Sequence, residues 1–267
     1  MENKAAELEL DLEQFELRFH RRYILKKCIN MLTNAFIVFG GVTAILYSVF
    51  VNGSNLIDRL RYMTFDGTIF TTLVCMLYVG VSVYEAVYET ELTYHNVFFL
   101  RLSSATTEFV IFAVVMFGLL PIVPDKPDIH TYTGIMMHLI IPGLTMLSFI
   151  LNDAPIGKIE PWEPFRGTWY ITIYAVIMTF LFGTGILPPE KAPYSFLNFR
   201  DNSIIFSLAC VVGIYVVGYS VSSLMILLNK YLSWAWFVDM PRPIRKVHKE
   251  MIEAHKNQKQ HQWKQKD

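Results

Sequence analysis

The 267 residues carry 23 basic and 23 acidic side chains, and a net charge of zero gives no electrostatic reason to bind nucleic acid or an acidic substrate. Charged residues make up 17 % of the chain, against roughly 25 % in soluble domains, and 53 % of it is hydrophobic. The charges leave several long stretches empty, which excludes an ordinary soluble domain. Cys28, Cys75 and Cys210 have no paired spacing, so neither a disulfide framework nor a CxxC metal or redox motif is supported.

In chain order, the opening MENKAAELELDLEQFELRFHRRY is charged and helical in pattern, without the short basic head and apolar core of a cleavable signal peptide. Leu8, Leu10, Leu12, Phe15 and Leu17 make residues 1–27 an acidic amphipathic segment, expected to lie on the membrane or pack under the bundle. Six runs of about 20 mainly apolar residues follow, the length a helix needs to cross the hydrocarbon core with its backbone satisfied internally. They extend from Cys28 to Val51, Thr64 to Tyr88, Phe99 to Val123, Thr131 to Leu151, Gly167 to Leu187 and Ile204 to Leu228. A basic tail, 230–267, ends the chain. Lys4, Arg18, Arg21, Arg22, Lys26 and Lys27 precede the first run and the tail adds more, whereas the alternate loops are poor in basic residues; the bias predicts cytoplasmic termini. The expected fold is an all-α polytopic bundle of six transmembrane helices, residues 28–229, in the cell membrane.

An ionisable side chain at membrane depth costs a few kcal/mol or more unless paired or wet, so each one marks a candidate site. The second run opens with RYMTFDGTIFTTL, in which Thr64 and Thr68 share a helical face and Asp66 projects elsewhere. His138 lies about two turns into the fourth run, one turn before Pro142, which is expected to kink the helix. Glu108 is expected to pair with a polar group inside the bundle, Glu85 lies near the cytoplasmic end of the second run, and Asn152 and Asp153 end the fourth. With cytoplasmic termini, Thr64 and His138 share the outer half of the bilayer, offset in depth by about 10 Å at 1.5 Å per residue. A hydroxyl beside an imidazole is the minimum for nucleophilic catalysis. The plainer readings are an N-cap for Thr64 and an interhelical hydrogen bond for His138.

Taken together, RYMTFDGTIFTTL, MHLIIPGLTMLSFIL, WEPFRGTWYITIYAVI and APYSFLNF, spread over residues 60 to 230, resemble a bacterial family of six-span membrane proteins with conserved loop prolines. Through that family they resemble the androgen-induced-gene family of eukaryotic membrane threonine hydrolases, which cleave fatty acid esters of hydroxy fatty acids. The resemblance implies Thr64, within Met63-Thr64-Phe65, as nucleophile and His138 as general base. The chain departs from the eukaryotic pattern in having its acidic residue two positions after the threonine rather than three, and its His-to-Pro interval is that of the bacterial group.

On this reading the substrate is a membrane lipid or fatty acyl ester, no cofactor or metal is involved, and the hydroxyl of Thr68 or Tyr194, or the Asn198 side chain, polarises the ester carbonyl. Asp66 and Glu108 complete the expected binding residues. Two other readings stay open. One is a transporter whose polar route is lined by Asp66, Glu85, Glu108 and His138, although no inverted repeat or matched pair of broken helices is visible. The other is a non-catalytic scaffold or lipid-binding subunit in which these side chains only set helix packing.

Overall fold

A computed structural model describes residues 25–51, 53, 55–88, 95–120, 129–153, 159–188, 191 and 203–235. The amphipathic segment before Leu25, the tail beyond Ala235, and Tyr194 and Asn198 lie outside the described residues. Among the described residues there is no strand. Six helices there are long and apolar enough to cross a membrane: Leu25–Val51, Met63–Glu85, Asn96–Phe117, Tyr132–Asn152, Glu163–Gly183 and Leu208–Leu232. The chain is an all-α polytopic bundle, and the six apolar runs read from the sequence match these helices one for one. The fifth span starts at Glu163 rather than Gly167 because a 3-10 turn, Glu163–Thr168, leads into the α-helix Trp169–Gly183.

The third span is the central helix. In its most apolar window 67 % of residues are buried, against 22 to 44 % in the other five. Its run Ser103-Ser104-Ala105-Thr106-Thr107 explains this position. Without a hydrophobic driving force between helices in lipid, close packing decides association, and small side chains let backbones approach. Two glycines do the same from the neighbouring helices. A Cβ on Gly67 would collide with Thr107 and Ile111 of the third span, and one on Gly41 would collide with the Thr72 hydroxyl of the second.

Cross-helix contacts define the two ends. Asn30 bonds Tyr78, Arg101 bonds Asp153, and Asn229 bonds the Asp153 carbonyl. These gather the starts of the first and third spans with the ends of the second, fourth and sixth at a proximal end, the one nearest Leu25 and Ala235. At the distal end Tyr132 meets Thr43 and Tyr47, and Tyr174 bonds the Arg61 carbonyl. Three π-helical turns, Tyr47–Val51, Val114–Leu119 and Met136–Ile140, lie in the distal half. The last has a visible cause. Pro142 has no N–H to give to the carbonyl four residues back, and the chain relaxes into a wider turn just before it.

Candidate functional site

Two polar regions occupy the core. The proximal one is built on Arg101, which lies in the second turn of the third span and is fully buried. Its Nε donates to Asp153 Oδ2 at 3.1 Å, its Nη2 to Ser148 Oγ at 2.8 Å, and its Nη1 to Cys75 Sγ at 3.1 Å, while the guanidinium lies 5.1 Å from the centre of the Tyr78 ring. Ser148 Oγ in turn donates to Asn30 Oδ1, and Asn30 Nδ2 donates to Tyr78. Asn229 closes the cluster from the sixth span by donating to the carbonyls of Phe149 and Asp153. A guanidinium in lipid is tolerable only when paired and bonded in this way. Nearer the proximal surface, Lys27 and Glu85 form a 3.1 Å ion pair.

The sequence reading passed over Arg101 and gave Asp153 only the task of ending the fourth span. Asp153 does occupy the C-cap position, but its carboxylate also neutralises Arg101. The signal was present: a lone arginine six residues into one span, and an aspartate at the matching end of the antiparallel neighbour.

The second region lies deeper. Thr64, Thr68, Thr71 and Cys75 follow one face of the second span, and the last three are fully buried. Opposite them on the third span stand Arg101, Ser104 and Glu108, with Ser104 donating to Thr71. The Glu108 carboxylate is fully buried beside Thr71, yet neither oxygen completes a hydrogen bond. The hydroxyls of Thr107 and Thr145 are likewise buried without partners. Such unsatisfied groups are uncommon in folded interiors, and each needs a reason.

Register brings Thr64 and His138 nearer in depth than residue counting from the span ends does. Cys75 and Ser148 bind the same guanidinium, and the second and fourth spans run parallel, so an offset of 73 residues links the two helices. Carried up to Thr64, that offset reaches residue 137, next to His138. Phe65 shares an apolar cluster with Met136 and Met137, which agrees with this level. Both residues are half-buried.

Thr64 is not an N-cap. The helix starts at Met63, and the amides of Phe65 and Asp66 both donate to the Tyr62 carbonyl. Among the described residues the Thr64 hydroxyl makes no hydrogen bond, to His138 or to any other group. The Thr64 amide also lacks a backbone acceptor, as expected for a first-turn donor.

The remaining expected residues separate. The Thr68 hydroxyl donates to the Thr64 carbonyl at 2.8 Å, which commits its proton to the backbone rather than to a substrate carbonyl. Asp66 turns away from the Thr64 face towards Tyr170 of the fifth span, whose ring stacks on Phe70 at 4.2 Å. Among the described residues no three His, Cys, Asp or Glu side chains are grouped so as to hold a metal ion. Comparison with known proteins finds no matching family model, no matching curated protein and no matching solved structure.

Proposed function

We propose that the protein is an intramembrane hydrolase of fatty acyl esters, with Thr64 as nucleophile and His138 as general base. The observation that carries this reading is the shared level of the two residues together with a threonine hydroxyl that no structural role consumes. As the Thr64 oxygen adds to the ester carbonyl carbon, the imidazole takes its proton. Collapse of the tetrahedral species breaks the bond to the alcohol, which leaves with that proton, and the acyl group stays on Thr64. Water then adds with the same assistance, the acid departs, and the threonine is restored. The Thr64 amide, in the first turn of its helix and without an acceptor, suits the developing oxyanion. A catalytic hydrogen bond that closes only with substrate present is common among unliganded enzymes.

The transporter reading has less support, because Arg101, Asp153, Ser148 and Asn30 fill the proximal core with mutual bonds rather than lining a route. The test uses the purified full chain with a fluorophosphonate probe and with fatty acyl esters of hydroxy fatty acids. Labelling and turnover are expected in the wild type and are expected to fall at least about a hundredfold in Thr64→Ala and His138→Ala, with Thr64→Ser retaining labelling. Equal labelling of the wild type and both alanine variants would exclude the mechanism. A folded wild type that neither labels nor turns over would leave the scaffold reading.

A further inference from the structure

On the lipid-facing wall of the proximal end, away from Thr64 and His138, a groove of about 490 Å³ runs between the starts of the third and fifth spans. Its walls combine three groups of residues. Trp162, Phe165 and Trp169 each present more than half of their surface. Phe99, Leu100 and Thr172 continue the groove along the two helices, and Asn96 and Arg166 supply its polar end. The frame behind it is rigid. The 3-10 turn Glu163–Thr168 is clamped where Gly167 meets Ser222 and Leu102 without room for a Cβ. Phe165 packs on Tyr219, whose hydroxyl donates to the Pro161 carbonyl.

Arg166 is held in one pose. Its guanidinium lies 4.0 Å from the centre of the Phe99 ring, and Nη2 donates to Asn96 Oδ1 at 2.9 Å. Glu163 Oε1 stands 3.9 Å from Nη1, too far for a hydrogen bond, while Oε2 accepts from the Glu160 amide. The remaining guanidinium N–H groups are therefore available to an oxyanion, but among the described residues the Arg166 cation of the groove has the Glu163 carboxylate beside it. A ligand with a net negative charge gains little in such a balance. A ligand carrying both charges fits it: an oxyanion on Arg166, and a cation over the exposed indole faces, which attract quaternary ammonium groups through the ring quadrupole. The membrane border, where tryptophan collects, is the depth at which lipid headgroups lie.

We infer that this groove binds the headgroup of a zwitterionic choline phospholipid, its phosphate on Arg166 and Asn96 and its trimethylammonium against Trp162 and Trp169. The acyl end extends along Leu100 and Thr172 into the bilayer. This site is independent of the proposed ester hydrolysis.

The experiment reconstitutes the full chain in bilayers with acyl-brominated phosphatidylcholine or acyl-brominated phosphatidylglycerol and follows tryptophan emission. A Trp162→Phe, Trp169→Phe double variant supplies the signal from the other tryptophans for subtraction. Half-maximal quenching is expected at about threefold lower mole fraction for the choline lipid, the scale of an exposed cation–π contact. Arg166→Gln is expected to raise the half-maximal mole fraction of both lipids, because it removes the phosphate contact they share, and Arg166→Lys to restore part of it, with an unchanged unfolding midpoint showing that each variant is folded. Equal quenching by the two lipids overturns the assignment, and so does stronger quenching by phosphatidylglycerol. Inorganic phosphate that displaces the lipid also overturns it, since it would mark a plain anion site.

Discussion

The proximal and deeper halves of the core contain the same kinds of polar side chain but treat them differently. Around Arg101 the charges are paired and most donors are used, and among the described residues the side-chain oxygens of Asn34 and Asn229 are left over. In the deeper region the Glu108 carboxylate and the hydroxyls of Thr107 and Thr145 are buried without bonds, and the half-buried Thr64 hydroxyl bonds nothing among the described residues. Both regions stand on the same regular helices, and the three π turns lie beyond them towards the distal end. In a membrane interior an unpaired polar group costs several kcal/mol, so the deeper region contributes less to stability than the Arg101 cluster.

Breaking the proximal cluster gives the largest effect. Arg101→Ala leaves Asp153 as a buried, uncompensated carboxylate, and unfolding in mixed micelles is expected to shift by about 3–5 kcal/mol. Replacing both partners, Arg101→Met with Asp153→Leu, is expected to recover more than half of that loss, because two desolvated charges disappear together. A double variant no more stable than Arg101→Ala alone would show that the pair is not what the cluster protects.

Next comes Ser148→Ala. Its hydroxyl links Arg101 to Asn30, and its removal leaves a guanidinium N–H short of a partner, while Asn30 Oδ1 keeps the bond it accepts from Asn34 Nδ2. A loss of about 1–3 kcal/mol is expected by the same measurement. A change below the error of the method would mean that the remaining contacts of Arg101 hold the cluster by themselves.

The opposite sign is expected at Glu108. Glu108→Gln removes the most costly ionisable group of the deeper region without shortening the side chain. The variant is expected to be as stable as the wild type or up to about 1 kcal/mol more so, since no bond is lost. A loss of stability as large as that of Ser148→Ala would place Glu108 with the structural residues and erase the distinction between the halves.

This division shows what the sequence could and could not convey. The six helices were legible because length and apolarity alone decide them, and the second run, which opens in polar residues at Thr64, is a regular helix from Met63. Arg101 escaped notice because its partners come from spans 26, 47 and 52 residues away. Pairing of that kind depends on register between helices, which no periodicity within a single helix reveals. Thr64 and His138 were legible as residue types at plausible depths. The level they share emerged only once Arg101 tied Cys75 to Ser148. Thr68 was misleading for a related reason: its face was correct, but a hydroxyl in a helix has its own i−4 carbonyl within reach, and here it takes it.

The smallest expected effect is at Thr64 itself. Thr64 is half-buried and bonds nothing through its side chain, so Thr64→Ala forfeits one methyl contact and no hydrogen bond. Alanine also has the higher helix propensity, which offsets part of the lost contact. The variant is expected to unfold within about 0.5 kcal/mol of the wild type, in the range of substitutions that touch no structural feature. Ser148→Ala removes a hydroxyl of the same chemistry from the proximal cluster at several times that cost, and the comparison isolates context from residue type. A Thr64→Ala variant that keeps wild-type stability while losing fluorophosphonate labelling would separate function from folding at a single oxygen atom. One that loses both together would make Thr64 another packing residue, and the deeper region would then need a different explanation for its unsatisfied groups.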